Sequence, residues 1–436
     1  MATWSWALDL QPTDKDGGAA PAAVPVSDVL GASITTGKNG DALSYSGGTM
    51  VLTLDNSSRT GSKYTPNGGG AYSNSEFLGK TCKLTTDVSG AGAPTWTHGA
   101  PAAFAGVVTD VAWTFDNRFE SVMTVTVSDA LTMLGTLSFA EVDSGNGLDI
   151  AQGSAEATLN SILTAANGVS SQITQTAVVN PSGDAGKTMQ AIVDYVGTAG
   201  ELVQLVEQSD GGDVFVRHSL PIDGTTPYNA LCFRTRGQQT ISDAVTGVTG
   251  LYPLNLWDDS LTPSGDEPHA FMRIDFASGA TASYSQVEFT SVGGTAQKAS
   301  VSAANLDAFG GRSLSRSGLL ALNDTATLDL ANAFLNQYGV GVIAPLATRA
   351  IQLPPITEGD NDGYQLCKYG IGDSCSIHLR PAGATSTIVI NGVVSGVRWN
   401  ITPGSSTMTV SLEDGDQTVG FILDSADFGV LNTNRL

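Results

Sequence analysis

Hydrophobic and polar residues alternate along several short stretches of this chain, as they do in β-strands that have one buried face. One clear alternation covers residues 123–127, and another covers residues 408–412. Each follows a valine-rich stretch, residues 106–113 or residues 392–399, that has the composition of a strand. Each pair of stretches therefore predicts neighbouring antiparallel strands.

These stretches belong to one pattern that occurs twice, in residues 79–130 and again in residues 372–415. Gly, Val, Val, Val and Trp stand at the same offsets in both copies, and the Trp is Trp113 in the first copy and Trp399 in the second. The distance from that Trp to the next Met differs by one residue between the copies. Two copies are too few for a solenoid, which stacks at least three repeats. The pattern therefore predicts a duplicated barrel or sandwich, with Trp113 and Trp399 packed at equivalent sites.

Helical spacing of apolar residues occurs between the two copies. It predicts one helix over residues 154–167, stopped by Gly168, and another over Asp324–Tyr338, followed by Gly339. Both are amphipathic, so we expect each to pack one face against a sheet or another helix.

A third apolar pattern precedes a predicted hairpin. Its residues recur at helical spacing and predict a helix that leads into residues 201–208. The turn at residues 210–212 and the strand at residues 214–217 then resemble a β-hairpin. The apolar residues of this pattern are Met189, Ile192, Val193 and Val196.

The predicted elements divide the chain into four parts. Residues 1–135 are predicted to form a first β-barrel, and residues 136–250 a mixed α/β middle domain. Residues 251–350 would hold a long loop, the early strands of a second barrel and a helix, and residues 351–436 its late strands, which repeat residues 79–130. The predicted fold class is mainly β with an α+β middle: two similar antiparallel β-barrel domains per chain plus a small mixed domain.

Composition narrows the possible partners. The 436 residues are 41% hydrophobic, enough for packed cores, and 51 glycines indicate many turns. The 42 acidic residues outnumber the 20 basic ones and give a net charge of −22, which argues against specific nucleic-acid binding and against anionic membranes. The start of the chain lacks a basic segment followed by an apolar run, and no stretch reaches transmembrane length. We therefore expect neither a signal peptide nor a membrane-spanning segment.

Cysteine and histidine do not predict a metal site. Two of the four cysteines occupy matching positions in the repeat, which a small buried side chain at one strand site explains. Without an export signal we expect reduced thiols. No histidine belongs to a His-x-x-x-His pair, and no Cys-x-x-Cys pair occurs. The residues concerned are Cys82, Cys232, Cys367 and Cys375, with His98, His218, His269 and His378.

Three short patterns imitate ligand-binding loops. Residues 79–81 and 186–188 both have the Gly-Lys-Thr end of a phosphate-binding loop, but the glycine required five residues earlier is absent from both. The acidic run from Glu358 to Asp362 imitates the opening of a calcium loop, yet Tyr369 stands where the bidentate carboxylate belongs. We interpret all three as ordinary turns, with a weak calcium site as the alternative at the acidic run.

Catalytic motifs are equally weak. The chain has no Gly-x-Ser-x-Gly elbow, and none of its 42 acidic residues stands out as half of a glycosidase pair. Glycosylation sequons at Asn56, Asn323 and Asn400 are interpreted as polar turns. We predict no catalytic, cofactor-binding or metal-binding residues and no enzymatic activity.

Further short motifs follow one another through nearly the whole chain. They are residues 49–56 with Arg59 and 64–66, residues 106–108 leading to 125–130, residues 214–217, residues 309–313, residues 371–373, residues 392–394, and residues 423–425 through 429–431. In this order they resemble the tail hub proteins of tailed bacteriophages, the family related to baseplate hubs and often called minor tail proteins. No single motif is specific, and the order carries the resemblance.

The resemblance implies a structural virion protein at the tail tip. Hub proteins of this family form homotrimers in which two similar barrels per chain make a six-part ring. The ring joins the six-fold tail tube, or a distal tail protein, above to three-fold tip or fibre components below, and it surrounds the DNA exit channel. For such a channel the acidic balance of this chain predicts a neutral to negative lining.

Two other classes of protein have similar compositions. A β-rich carbohydrate-binding or glycan-cleaving protein, secreted or carried by a virion, would expose a cleft with aromatic and carboxylate side chains. A surface-layer protein or adhesin would need an export signal. Only six tryptophans are present to line such a cleft, and two of them belong to the repeats. The neighbouring genes and a low-resolution image of the purified particle would separate these classes from a hub.

Overall fold

A computed structural model of the protein describes residues 3–38, 44–57, 62–66, 70–89, 100–115, 121–140, 147–180, 183–218, 229–236, 254–258, 261, 268–277, 284–301, 312–339, 347–357, 363–380 and 387–414. Strands predominate in this part of the chain, and the predicted mainly β fold is confirmed. No helix within these ranges is long and apolar enough to cross a membrane.

The N-terminal unit is an antiparallel sheet in the order β1-β6-β7-β8-β4-β3. Buried residues alternate with less buried ones along β4 and β8, so one face of these strands closes over the core, whereas residues 102–108 of β7 are all buried. A short pair, β2 with β5, and a 3₁₀ turn at Val26–Asp28 accompany it. The strands are β1 (Thr3–Leu10), β2 (Thr13–Asp14), β3 (Val29–Gly37), β4 (Ser46–Asp55), β5 (Ser75–Glu76), β6 (Thr81–Ser89), β7 (Ala102–Phe115) and β8 (Ser121–Ser128).

Strands from the second half of the chain form the C-terminal unit, in the order β17-β21-β25-β24-β23-β15-β16, with β22 also paired to β25. A 3₁₀ turn at Gly363–Lys368 precedes its closing strands. The strands are β15 (Leu254–Trp257), β16 (Pro268–Ala270), β17 (Arg273–Ala277), β21 (Ala347–Gln352), β22 (Ile356–Thr357), β23 (Ser374–Leu379), β24 (Ile388–Thr402) and β25 (Ser405–Asp414).

Two details of the predicted barrels differ from the structure. The C-terminal unit is not wholly antiparallel, since β15 runs parallel to both β23 and β16. More than a hundred residues separate β15 from β23 along the chain, which leaves room for the crossover that a parallel pair needs. Nor are the units separate within the described ranges: β3 pairs with β24, and one 14-stranded sheet runs through both.

The repeat in the sequence corresponds to a repeat in strand register. Cys82 lies opposite Gly106 in the first unit, and Cys375 lies opposite Gly392 in the second. The long strands β7 and β24 then bulge at the same offset, after Val108 and after Val394. Beyond the bulge Trp113 faces Met123, and Trp399 faces Met408. The residues shared by the two copies are therefore those that fix the bulge and the packing around it.

Among the residues that the structure describes, the middle domain packs three helices and three short strand pairs around a core of its own. The apolar face of its longest helix is buried, as its spacing predicts, and Ser154 caps that helix by accepting from the amide of Ala157. The elements are α1 (Ala130–Thr136), β9 (Leu148–Ile150), β10 (Gly153–Ser154), α2 (Ala155–Val169), β11 (Thr188–Met189), β12 (Ile192–Tyr195), α3 (Ala199–Asp210), β13 (Asp213–Arg217) and β14 (Ala230–Arg234).

The predicted helix through Met189, Ile192, Val193 and Val196 is wrong. These residues lie on or beside β11 and β12, and Val193 and Val196 are 69% and 58% exposed, so the apolar spacing does not mark one buried face. The helix begins at Ala199 instead, where Thr198 and Glu201 form a capping box.

The predicted hairpin with its turn at residues 210–212 is wrong, because the strand at residues 214–217 pairs with a different part of the chain. Gly211, at φ 77°, ends helix α3 in the left-handed conformation rather than joining two strands. Strand β13 follows at once and pairs with β14, so the strand at 214–217 is part of a hairpin whose other strand comes later in the chain.

A small subdomain lies within the second half of the chain. Its three strands are covered by a helix that matches the predicted bounds, and Asn323 caps that helix. Phe289, Ala331 and Leu335 form part of its separate core. The elements are β18 (Gln286–Ser291), β19 (Gln297–Ser300), β20 (Ser313–Leu319) and α4 (Asp324–Tyr338).

Candidate functional site

A cluster of buried and partly buried charged side chains lies where the two sheet units meet the middle domain. Lys38 follows β3 in the N-terminal unit, and Glu413 lies on β25 in the C-terminal unit. Asp213 and Arg234 face each other across the β13·β14 hairpin of the middle domain. Three parts of the molecule therefore each contribute charge to one cluster, which we call the junction cluster.

The two cations of the junction cluster share its two carboxylates. Lys38 donates to Asp213 at 3.0 Å and also binds Glu413. The Arg234 Nε donates to Asp213 at 3.1 Å, and its Nη2 lies 3.5 Å from Glu413. The side chain of Lys38 is only 4% exposed and that of Arg234 only 8% exposed. Because both cations are buried, their pairing with carboxylates offsets the cost of removing them from water.

Burial and charge act in opposite directions on the ionisable groups of the cluster. Burial by itself would raise the pKa of Asp213, but Lys38 and Arg234 outweigh it and hold that pKa below its usual range. Burial by itself would lower the pKa of Arg234, but the negative charge of Asp213 outweighs this effect and raises that pKa above its usual value. Burial and the neighbouring Glu413 raise the pKa of Tyr45 well above its usual range, so its ring is a neutral cover 4.5 Å from the Lys38 Nζ.

Glu207 on α3 is a buried carboxyl beside the cluster. Burial, followed by the negative charge of Asp213, raises its pKa to about 8. Its Oε1 accepts from the amide of Val214 at 3.3 Å. Near neutral pH Glu207 is therefore mostly protonated, and the two cations are left to balance Asp213 and Glu413.

A second buried ion pair ties the middle domain to the C-terminal unit. Arg217 on β13 donates to both carboxylate oxygens of Asp373, at 2.6 and 3.0 Å, and both side chains are at most 2% exposed. Asp373 also accepts from the amide of Gly370 at 2.8 Å. Two parallel hydrogen bonds fix the orientation as well as the distance of the partners. The neighbouring His218 stacks on Phe104 of the N-terminal unit at 4.3 Å.

These contacts cross the boundaries between the units. They order the sheet units and the middle domain relative to one another, because truncating one partner leaves the other charge buried and unpaired. The arrangement therefore provides a rigid connection between the units.

The structure gives the described histidines and the cysteines packing roles. His378 stacks on Trp257 at 3.9 Å, and burial lowers its pKa. All four cysteines are buried free thiols, and Cys82 and Cys375 occupy matching registers as the repeat predicts. Within the described ranges no group of three or more His, Cys, Asp or Glu side chains could hold a metal ion. His98 lies outside those ranges.

Hydrogen bonds within the protein use the amides of the glycine patterns that imitate phosphate loops. Gly79 donates its amide to Val108, and Gly372 in the second copy donates to Val394, so the two turns are built alike. In the other pattern Asp210 already accepts from the amide of Lys187 at 2.7 Å. A carboxylate thus occupies an amide that a phosphate would need. The acidic run at 358–362 lies outside the described residues.

Of the three sequon asparagines, two lie at turns or ends of elements and one does not. Asn56 is fully buried at the end of β4 and accepts from the amide of Tyr64 at 2.9 Å, while Asn323 caps α4. Asn400 lies inside β24, so its interpretation as a turn residue is wrong. Its outward position on an alternating strand explains why a polar residue stands there.

Tryptophan packing bears on the glycan-binding alternative. Trp6 and Trp399 pack edge to face at 5.8 Å, and Trp113 is half-buried and donates to the carbonyl of Tyr64 at 2.8 Å. Trp257 is 9% exposed under His378. The tryptophans whose side chains the structure describes therefore pack against other parts of the protein.

Sequence reasoning missed the junction cluster. Its members are single charges at strand ends, separated by up to 375 residues, and no local motif joins them. One signal was present: in a chain with only 20 basic residues, Lys38, Arg217 and Arg234 each directly follow or end an apolar strand. A cation in that position must find a buried partner or remain at the surface.

Comparison with solved structures shows that this fold is similar to the folds of two tail proteins. No family model matches the sequence, and no curated protein sequence matches it. Among solved structures, a tail protein from Neisseria meningitidis MC58 superposes with a TM-score of 0.54 at 11% identity, covering 94% of this chain and 97% of that chain. The 43 kDa tail protein of prophage MuSo2 from Shewanella oneidensis gives a TM-score of 0.51 at 14% identity, covering 96% of this chain and 99% of that one. The resemblance to tail proteins is thus confirmed at the level of the fold.

Proposed function

We propose that this chain is a structural, non-enzymatic virion protein, and that three copies form a hub at the tip of a phage tail. The hub would join a six-fold tail tube, or a distal tail protein, to three-fold tip or fibre components and surround the DNA exit channel. The observation that carries the proposal is the pair of sheet units with one shared strand register, joined side by side in a single chain.

Duplication of this kind suits a change of symmetry. Three chains with two equivalent units each supply six similar positions to a six-fold partner, while the remaining domains occur three times. The fold shared with the Neisseria and Shewanella tail proteins supports the same role over nearly the full length of the chain.

Internal rigidity supports the proposal as well. Two units act as neighbouring parts of a ring only if their relative orientation is fixed. The β3·β24 pairing, the junction cluster and the Arg217–Asp373 pair provide that fixation from three sides. Such buried contacts suit a permanent structural part better than a mobile one.

The test is the mass and shape of the purified protein. Native mass spectrometry should give three times the chain mass of 44.8 kDa, and electron microscopy should show a ring with six similar lobes. Cryo-electron microscopy of the particle that carries this protein should place three copies in one layer at the tail tip. Six copies in that layer, or a location in the capsid, would contradict the proposed role.

A further inference from the structure

The contact between the two sheet units within one chain is a strand pairing. Residues 32–37 of β3 lie antiparallel to residues 396–401 of β24, with Ala32 opposite Ile401 and Ser33 opposite Asn400. Ala32 and Ile401 are both 4% exposed and face the core. Ser33 and Asn400 face outward and are exposed.

The repeat supplies a second copy of each of these two strands. Strand β7 is equivalent to β24, because Trp113 and Trp399 face the matching Met123 and Met408. Two residues further along each strand, Phe115 is therefore equivalent to Ile401.

Strand β17 is equivalent to β3 by the same reasoning through two registers. Leu52 of β4 lies opposite Val125, and Ile351 of β21 lies opposite Val410 two residues after the matching Met. Ala32 of β3 lies opposite Leu52. Ile274 of β17 lies opposite Ile351 in the same way. Ile274 is thus equivalent to Ala32, and Asp275 is equivalent to Ser33.

Within the described ranges, the equivalent edges are not paired with each other. Strand β17 pairs only with β21 there, and residues 110–115 of β7 pair only with β8. The exposure of their side chains reflects the missing neighbour: Phe115 is 57% exposed where Ile401 is 4% exposed, and Trp113 is half-buried where Trp399 is 3% exposed. A long exposed edge with apolar residues is a template for another strand.

We propose that β17 of one copy pairs with β7 of the next copy, so that the contact made once inside the chain is made again between chains. The inference rests on the proposed function, and it adds the edges and the register. Ile274 lies opposite Phe115 on the inward face, and Asp275 lies opposite Thr114 on the outward face. The pairing is antiparallel, as in β3·β24.

Side-chain chemistry agrees with this register. The inward pair is apolar on both sides, and the outward pair is polar on both sides, as in the intrachain contact. The two edges are different surfaces, so the contact is head-to-tail and either closes into a ring or grows into a filament. In a ring of six similar units, half of the unit-to-unit contacts are already made within chains, and three copies complete the others.

Disulfide trapping tests the register. Directly opposite residues in an antiparallel pair have Cα atoms roughly 4.5–5.5 Å apart, within the range of a disulfide. The double variant Thr114→Cys with Asp275→Cys should form covalent dimers and trimers under mild oxidation, seen on a non-reducing gel. An equal mixture of the two single variants should give dimers only. The four native cysteines are buried and serve as an internal background.

Two control pairs make the result specific. Ser33→Cys with Asn400→Cys should form the same bond within one chain and leave a monomer band of altered mobility. Thr114→Cys with Arg273→Cys is offset by two residues, with Cα atoms roughly 7–8 Å apart, and should crosslink at least about tenfold more slowly. Equal rates for the matched and offset pairs would overturn the register.

Disruption of the edge is the complementary measurement. Phe115→Asp should raise the dissociation constant of the assembly at least about tenfold, because a charge replaces the apolar side chain that lies opposite Ile274 in the pairing. Val193→Asp changes a similarly exposed apolar residue in the middle domain, and it should leave the assembly unchanged. Both variants should keep the melting temperature of the separated chain.

The outcomes separate this inference from the proposed function. A trimer that resists Phe115→Asp and does not crosslink at 114 and 275 overturns the edge and leaves the trimer standing. Crosslinking in an assembly of another size supports the edge and contradicts the trimeric hub. A chain that stays monomeric at every concentration contradicts both.

Discussion

Glu207 shows how one buried carboxyl couples the junction to pH. Its pKa of about 8 in the folded chain lies above its ordinary value of 4.5, because burial and Asp213 both disfavour its charge. The folded state therefore holds the proton more tightly than the unfolded state does. The stabilising contribution is complete below about pH 4.5 and is lost as the pH rises towards 8.

We expect Glu207→Gln to remove this pH dependence. The amide keeps an acceptor for the Val214 amide but cannot ionise. Relative to the parent, the variant should gain stability between about pH 5 and pH 8.5, by on the order of a few kcal/mol at the upper end. Thermal unfolding at a series of pH values measures the difference. Asp213 contributes little to it, since its lowered pKa keeps it ionised throughout this window. A parallel shift of both curves would contradict the assignment.

Trp113 and Trp399 occupy equivalent registers but have different surroundings. Trp399 is 3% exposed and packs on Trp6, whereas Trp113 is half-buried beside the open edge of β7. The first has lost nearly all of its contact with water on folding of one chain. The second keeps part of it until a neighbour covers the edge.

We expect the two alanine substitutions to differ in cost. Trp399→Ala should lower the free energy of unfolding by roughly 3–5 kcal/mol, as for a fully buried aromatic side chain. Trp113→Ala should cost about 1–3 kcal/mol in the separated chain. Denaturant unfolding at a concentration that keeps the chain monomeric provides the comparison. Equal costs would mean that the two sites are equally enclosed.

At the scale of elements, the success of sequence reasoning depended on how local the determining contacts are. The bounds of α4 and the start of α2 follow from caps and spacing within a few residues. The repeat registers follow from the bulge and the packed Trp, which the sequence shows twice. Strand β12 was missed because the apolar residues on and beside it fit helical spacing, while its strand partner, β9, lies some forty residues earlier.

Contacts between elements could not be predicted because their partners are distant. Thr36 of β3 pairs with Val397 of β24, which lies 361 residues later, and no local pattern in either strand identifies the other as its partner. The same holds for Arg217 and Asp373, whose charges look like ordinary strand ends in the sequence. The candidate ligand motifs are the opposite case. Their spacing can be recognised locally in the sequence, but only tertiary contacts show that their residues have structural roles.

The Arg217–Asp373 pair gives a prediction about the joint between elements. Asp373→Ala leaves a guanidinium buried without its partner and should cost about 3–5 kcal/mol. The matched control is Lys298→Ala, which removes an exposed ion pair with Glu288 and should cost at most about 1 kcal/mol. Chemical denaturation measures both. A small loss for Asp373→Ala would mean that water reaches Arg217.

For the whole molecule, net charge is the dominant property. A net charge of −22 gives a field that repels other polyanions. Part of the small basic complement is also withdrawn from the surface, since Lys38, Arg217 and Arg234 are buried in ion pairs. Each of these cations is paired with a carboxylate, so the buried ion pairs do not account for the acidic excess, which other side chains carry.

We expect the purified protein to show no measurable binding to duplex DNA at physiological ionic strength. A channel that passes DNA works best without phosphate-binding cations on its wall, because release of counterions would hold the duplex there. Fluorescence anisotropy of a labelled duplex, with a basic DNA-binding protein as the positive control, tests this. In a solved ring, acidic residues should outnumber Lys and Arg on the channel wall, and the opposite balance would refute the idea.

The direction of one strand also distinguishes the two halves of the chain. Strand β1 runs antiparallel to β6, whereas its positional counterpart β15 runs parallel to β23. Around a ring of three copies, the lobes would therefore alternate in polarity at this layer while matching at the bulged strands. A partner protein that contacts only the matching layer would find six equivalent binding positions. One that contacts the alternating layer would find three. Reversing a single strand would then be enough for one polypeptide to present two rotational symmetries.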